Sequence, residues 1–322
     1  MAFRQVTVFG GSGFIGRYVV QRIARTGARV AVAVRDTEGA QFVRMFGHVG
    51  QVLPVPCDVT RSDTIAPALQ GSDAAVNLVG ILYQQGRQRF DEVHRKAAGG
   101  IAEAARAAGL KRLVHLSAIG ADPRAGSAYA RSKGLGEEAV RTAFSGATIL
   151  RPSVVFGPED DFFNRFARLA RIAPALPLFG GGRTKFQPVY VADVADAVAA
   201  ALADKASRGR TYELGGPAVL TFEEVLRLIL AETGRKRWFV RLPFWVADVI
   251  GTVAPLLPRL PGTAPFLTRD QAVQLRGDNI VAAGSAGLED LGVAPTALEL
   301  VLPDYLDKYA RQQRRTRPVR VL

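Results

Sequence analysis

The chain is 322 residues long and 48% hydrophobic, with 42 Lys+Arg against 29 Asp+Glu and a formal charge of +13. That composition supports a packed core and excludes wholesale disorder, and the single cysteine, Cys57, rules out an internal disulfide or a cysteine-based zinc site. The three histidines, His48, His94 and His115, lack ligand-pair spacing, which argues against a zinc hydrolase.

The length suits two domains, or one large α/β domain with an appendage. The charge is unevenly placed: residues 1–150 carry net +8, residues 151–307 net −1, and residues 308–322 net +6. The N-terminal half and the tail are therefore the two places where an anion could bind. Met1 to Gly10 is too short and strand-like for a signal peptide, and no run of about 18 apolar residues suggests a membrane span. A cytoplasmic protein is expected, or one peripheral on the inner face of the bacterial cytoplasmic membrane.

In chain order, Gln5 to Phe9 is a short apolar run ending in glycines, which predicts a buried strand. Phe14 to Thr26 has helical spacing (Ile15, Val19, Ile23) and stops at Gly27. The strand at 29–34 is followed by a helix at 38–46, a strand at 51–56, a helix at 61–69 and a strand at 73–79. Helix 90–108, strand 111–117, helix 127–143 and strand 147–150 continue the alternation. Such alternation predicts right-handed βαβ units around a parallel sheet. After Arg151-Pro152 the prolines multiply; helix 191–203 and strand 210–214 are expected to return to the sheet, and 221–309 reads as mainly helical. The expected fold is an α/β, Rossmann-type, doubly wound sheet over 1–155, with 186–215 rejoining it. A smaller, mainly helical domain over 156–310 and a basic tail over 311–322 complete the chain.

Gly10-Gly11-Ser12-Gly13-Phe14-Ile15-Gly16 lies between the first strand and the first helix. Glycines there allow a tight turn, close approach to a pyrophosphate and close helix–strand packing, and the helix N-terminus offers free N–H groups. The second strand ends at Arg35, not at the carboxylate expected of an NAD site, and Arg17 directly follows Gly16. Two guanidiniums near the adenosine ribose suit a 2′-phosphate, which favours NADP(H). If Asp36 bound the ribose hydroxyls instead, NAD(H) would serve.

These residues, with others further on, resemble the short-chain dehydrogenase/reductase superfamily in its extended or atypical branch, over residues 3 to about 235. The resemblance implies that Asp58 and Val59 line the adenine, and that Asn77-Leu78-Val79-Gly80 lines the cofactor. It implies further that Pro152 and Ser153 sit near the nicotinamide. Tyr129-Ala-Arg-Ser-Lys133 matches its Tyr-x-x-x-Lys motif, Ser117 ends the fifth strand, and Gln187 to Val194 is another of its hallmarks. In a working member Tyr129 would be the acid/base, Lys133 would lower its pKa and bind the ribose, and Ser117 would hold the substrate oxygen. Ser117 lies 12 residues before Tyr129, closer than extended members usually show.

A narrower resemblance reaches the C-terminus. The segments 158–164, 267–271, 287–292 and 295–300 resemble the 39-kDa-type accessory subunits of respiratory complex I (NADH:ubiquinone oxidoreductase) and their bacterial homologues. That family implies tightly held NADPH, structural or regulatory in role, complex I core subunits as partners, and a position near the membrane and the quinone site. Two function classes therefore stand. One is a non-catalytic, nucleotide-holding subunit. The other is an active reductase, epimerase or dehydratase acting on a hydrophobic or quinone-related substrate.

The remaining features divide in the same way. Glu137 and Glu138 are expected to face solvent or pair with Arg141, and Glu159-Asp160-Asp161 to form an acidic helix N-terminus. The section 238–267 holds both tryptophans, Trp238 and Trp245, with Arg and Lys residues on either side. It is too short to span a bilayer, and its composition with the basic tail suits anionic lipid or a partner surface. A lid or a core-packed helix is the competing reading. No motif for reading nucleic acid is present.

Overall fold

Every residue of Arg29–Val34 after the first is buried, as a strand covered on both faces requires. It is the second strand (β2) of a sheet begun by β1, Gln5–Phe9. Between them α1, Phe14–Arg25, buries Gly16, Val19, Val20, Ile23 and Ala24 along one face. The computed structural model describes residues 3–86, 88–253 and 267–310. Part of the apolar 238–267 section and the whole basic tail at 311–322 lie outside the described residues.

The chain divides into two compact units: Met1–Ser153 with Val191–Gly215 and Val281–Pro295, and Val154–Tyr190 with Gly216–Ile280 and Thr296–Leu322. In the first unit β3 (Val52–Pro56), α2 (Ile65–Ala68), β4 (Ala74–Asn77), α3 (Ala97–Ala107), β5 (Arg112–Leu116), α4 (Ala128–Ala143) and β6 (Thr148–Pro152) follow in turn. Three expected helices differ in kind. The span 38–46 is a 3-10 turn at Gln41–Phe46 between Gly39 and Gly47, and 61–69 splits into a 3-10 turn at Ser62–Thr64 and the four-residue α2. Helix 90–108 opens with a π-helical turn, Asp91–Lys96, before α3. Apolar spacing alone does not distinguish these tighter and wider turns from an α-helix.

In the second unit β7 (Val155–Phe156), α5 (Phe162–Ile172), β8 (Ala175–Phe179), β9 (Lys185–Phe186) and β10 (Val189–Tyr190) come next. Asp160, not the exposed residues beside it, caps α5: it is 4% exposed and accepts from the N–H groups of Phe163 (2.6 Å) and Asn164 (3.2 Å) and from Tyr305 Oη (2.7 Å). The chain then re-enters the first unit with α6 (Val191–Ala203) and β11 (Thr211–Leu214). The strand order is β11-β6-β5-β4-β1-β2-β3, every pair parallel. Its helix-covered core gathers Phe9, Ile101, Leu113, Val140 and Ile149.

The rest of the second unit comprises β12 (Leu220–Thr221), α7 (Phe222–Glu232), β13 (Trp238–Leu242), α8 (Phe244–Val253), α9 (Arg269–Gln274) and α10 (Leu298–Leu306). A capping box between Thr221 and Glu224 starts α7. Its core is aromatic, built on Phe156, Phe163, Phe166 and Phe222. The expectation of mainly helix beyond 221 misses β13, where Trp238-Phe-Val-Arg-Leu242 pairs in parallel with β8. Aromatic and β-branched residues fit a half-buried strand, and Pro243 ends it. No helix among the described residues is long and apolar enough to cross a membrane.

Candidate functional site

Gly10, Arg35, Asp58, Leu78, Ser117 and Ser153 all follow the carboxyl ends of parallel strands, the edge where open α/β sheets hold ligands. The strand order reverses between β1 and β4, and there the glycine loop lies. Gly10 has φ +78°, and a Cβ on it would stand 3.3 Å from Val79 Cγ2, so the loop rests on the Leu78–Val79 segment. Gly13 N–H donates to Gly10 O at 3.1 Å, closing the turn into α1. A Cβ on Gly16 would sit 2.2 Å from Gly10 O, and one on Gly11 2.8 Å from Val32 Cγ1. Nothing larger than hydrogen fits at either position without displacing a neighbour. The first turn of α1, with Phe14 and Ile15 at its start, carries no acidic residue, and its N-cap Gly13 offers no side chain. Ser12 is half-buried in the same loop.

The basic candidates flank this loop. The Arg17 guanidinium lies 5.4 Å above the Phe42 ring. Arg35 is exposed, and the Gln88 amide, turned so that its oxygen faces the guanidinium, accepts from Nη2 at 3.0 Å. Asp36 does not extend from the strand tip: its Oδ1 accepts from Gly39 N–H at 2.9 Å and closes its own turn. Asp58 likewise braces its loop, accepting from Thr60 N–H (3.0 Å) and Oγ1 (2.7 Å), while Val59 packs on the core. The Leu78 N–H donates to Phe9 O at 3.0 Å, and Val79 N–H to Asn77 Oδ1 at 3.1 Å.

Lys133 is 5% exposed and reaches the end of β5, where Nζ donates to Leu116 O at 2.9 Å. Burial pushes its pKa from 10.5 down to about 8, with Glu137 pulling the other way. Next along the strand, Ser117 is 4% exposed, and its Oγ has no hydrogen-bond partner among the described residues. Its N–H donates to Leu150 O at 2.7 Å. Tyr129 is half-buried one turn before Lys133, its ring edge-on to Phe90 (5.7 Å) and His94 (5.4 Å). Pro152 accepts from Ile119 N–H at 3.0 Å, and Ser153 N–H donates to Leu214 O at 2.9 Å. Ser127 is the N-cap of α4, accepting from Ala130 N–H at 3.2 Å.

Several residues at the site carry no sequence signal of their own. His115 is buried beside Asn77, whose amide lies 3.1 Å from Nδ1; Nε2 has no partner among the described residues. Burial and the Lys133 charge hold this imidazole well below the usual histidine range. Glu137, expected at the surface or on Arg141, is 1% exposed and binds two cations. It accepts from Arg151 Nε and Nη2, both at 2.8 Å, and from Arg141 Nη2 at 3.0 Å. Arg151 also lies 3.4 Å from Glu213. This ion group ties α4 to β6 and β11 directly behind Lys133. Glu138 is exposed.

The arrangement fits a dinucleotide on two observations: a cradle that a Cβ would fill at Gly11 and Gly16, and a buried hydroxyl on Ser117 with no partner among the described residues. The comparisons agree. The model of the NAD dependent epimerase/dehydratase family matches residues 6–215. The mitochondrial NADH dehydrogenase (ubiquinone) 1 alpha subcomplex subunit 9 of Rattus norvegicus is 37% identical over 296 residues, 91% of this chain and 77% of that protein. Its counterpart in Arabidopsis thaliana is 34% identical over 312 residues, 95% and 78%. A ceramide reductase of Caulobacter vibrioides is 31% identical over 245 residues, 74% and 73%. The fold matches that of dTDP-glucose 4,6-dehydratase from Streptomyces venezuelae, solved with NAD bound (TM-score 0.70, 20% identity, 96% of this chain and 97% of that one). The chain therefore belongs to the NAD dependent epimerase/dehydratase family and, within it, groups with the alpha-subcomplex subunit 9 proteins of respiratory complex I.

Proposed function

We propose that this protein is a nucleotide-holding accessory subunit of NADH:ubiquinone oxidoreductase. The observation that carries the reading is the reach of the similarity. The family model ends at residue 215, whereas the plant complex I relative matches 95% of the chain. An enzyme of the same fold reaches as far only at lower identity, 20% for the Streptomyces venezuelae dehydratase against 34% for the plant subunit, so reach and identity together favour a shared docking role.

In this reading the 10–16 loop holds the pyrophosphate, and Asp58, Val59 and Leu78–Gly80 hold the adenosine side. Ser117, Tyr129, Lys133, Pro152 and Ser153 hold the nicotinamide side. A bound nicotinamide nucleotide supplies hydride-transfer capacity. NADP(H) is preferred over NAD(H), because the Arg17 and Arg35 guanidiniums near the glycine loop would suit a 2′-phosphate and Asp36 is committed to its own turn. The subunit sits peripherally on the inner face of the membrane. The exposed side chains of Trp238 (81%), Trp245 (65%) and Val249 (52%), with Arg241 beside them, support contact with anionic lipid or a partner subunit.

The test is purification from native membranes in mild detergent. The protein should comigrate with NADH:quinone oxidoreductase activity and retain NADPH. A freely soluble protein that exchanges its nucleotide rapidly refutes the proposal.

One observation favours a second reading, an active reductase: Lys133 at about 8 beside a Ser117 hydroxyl with no partner among the described residues. There Tyr129 would exchange the proton with the substrate oxygen while Ser117 oriented it. Tyr129→Phe should then abolish carbonyl reduction and leave NADPH binding largely intact, since the ring is kept; no oxidation of bound NADPH by any carbonyl or quinone offered would sink this reading.

A further inference from the structure

We propose that His94 is a positioning residue of the nucleotide site, a neutral imidazole that fixes the loop after β4 to the helical turn bearing Tyr129 and Lys133. The proposal rests on the nucleotide reading above and adds a residue that neither the glycine loop nor the Tyr-x-x-x-Lys pattern contains.

The hydrogen bonds fix the state of the ring. Nε2 accepts from Ile81 N–H at 3.0 Å, so the proton is on Nδ1. Nδ1 then donates to Ser132 Oγ at 2.9 Å, and Ser132 Oγ donates to Tyr129 O at 2.7 Å. One imidazole thus links the segment after Leu78–Gly80 to the turn between Tyr129 and Lys133. Protonation would put a donor on Nε2 against the Ile81 N–H. Burial and the Lys133 charge oppose it, holding the pKa at about 3.

The packing is equally specific. The ring stacks on Phe90 at 5.4 Å and meets the Tyr129 ring edge-on at 5.4 Å. It projects from the π-helical turn Asp91–Lys96, a geometry that recurs at functional sites. The backbone behind it fits only because residue 136 is glycine, where a Cβ would stand 2.0 Å from His94 O. On the site side, a Cβ on Gly80 would lie 3.7 Å from both His94 Nε2 and Lys133 Nζ. The imidazole and the ammonium therefore face the same exposed glycine of the cofactor-lining segment. Any buried imidazole needs partners for its nitrogens; what marks this one is that both partners, Ile81 and Ser132, belong to segments of one site.

The experiment loads the full-length protein with NADPH and follows its fluorescence during a chase with excess NADP⁺, alongside thermal melts. The variants are His94→Leu, His94→Gln, His94→Asn and Ser132→Ala. Gln can replace Nε2 toward Ile81, and Asn can replace Nδ1 toward Ser132. Loss of one buried hydrogen bond should speed release about tenfold and loss of both about a hundredfold. His94→Leu should therefore be fast, His94→Gln and His94→Asn intermediate, and Ser132→Ala, which keeps the ring and its Ile81 bond but removes the bonds to Nδ1 and to Tyr129 O, at least tenfold faster than wild type. Release at the wild-type rate from all four variants overturns the proposal, as do release rates that simply follow the melting points across the set. A wild-type protein that holds no NADPH overturns the nucleotide reading, and this proposal with it.

Discussion

Lys133 separates stability from ligand binding in one substitution. The residue is 5% exposed, and burial brings its pKa from 10.5 to about 8. A pKa lower in the folded than in the unfolded chain means that the unfolded chain binds the proton more tightly. Folding at neutral pH thus carries a penalty of about 3 kcal/mol, at about 1.4 kcal/mol per tenfold change in proton affinity. Lys133→Met keeps the apolar stem and removes the charge. It also loses the hydrogen bond to Leu116 O, a cost of about 1 kcal/mol. The net expectation at pH 7 is a gain of about 2 kcal/mol, or a melting point about 3 °C higher. The gain should persist below pH 8. Between pH 8 and 10.5 wild type sheds the penalty as its amine deprotonates, so the two melting points should converge. Calorimetry of both proteins without nucleotide, from pH 6 to 10.5, reads this difference with the other titrations cancelled. The same variant should hold NADPH more weakly. A variant that melts below wild type at pH 7, or a difference that does not shrink above pH 8, refutes the reasoning.

Three further outcomes follow from the site. Gly16→Ala drives a Cβ into Gly10 O at 2.2 Å, whereas Gly13→Ala meets the same oxygen at 3.3 Å. The first should cost about 1–3 kcal/mol in urea unfolding and abolish NADPH binding, the second far less; equal effects contradict the packing argument. Arg35→Glu should weaken NADPH roughly a hundredfold in equilibrium titration and leave NADH little changed, since only the former carries the 2′-phosphate. Parallel losses for both nucleotides would remove Arg35 from that role. Glu137→Ala strands Arg151 and should lower stability by about 3 kcal/mol, the low end for a broken buried pair, because Arg151 keeps Glu213 nearby. A loss below about 1 kcal/mol in unfolding free energy would show that solvent replaces the pairing.

The sheet was legible because its signal is local. Val30-Ala-Val-Ala-Val34 is apolar without interruption, and Gly10 to Gly16 punctuates the passage from β1 to α1. Other features were hidden because they depend on residues far apart in sequence. Arg141 lies one helical turn from Glu137 and could be read as its partner, but Arg151 reaches the same carboxylate from a strand. The burial of Lys133 is likewise a property of α4 packed on β5. In β13 the aromatic and basic residues resemble a membrane-facing helix until β8 is there to pair with them. The change of helical pitch at Asp91–Lys96 leaves no mark on the apolar spacing.

That wider turn has an evolutionary consequence. A π-helical turn accommodates one residue more than the regular α-helix around it. Removing a residue from 91–96 would therefore not break the helix but regularise it. Residues on either side would keep their faces, whereas those within the turn would shift by one position, about 100°. Deletion of Val93 would part Phe90 from the His94 ring it stacks on while keeping every polar side chain. The helix leading into α3 should tolerate many point changes on its solvent side and very few changes in length, so that a one-residue gap, more than any substitution, would mark relatives whose site is assembled differently.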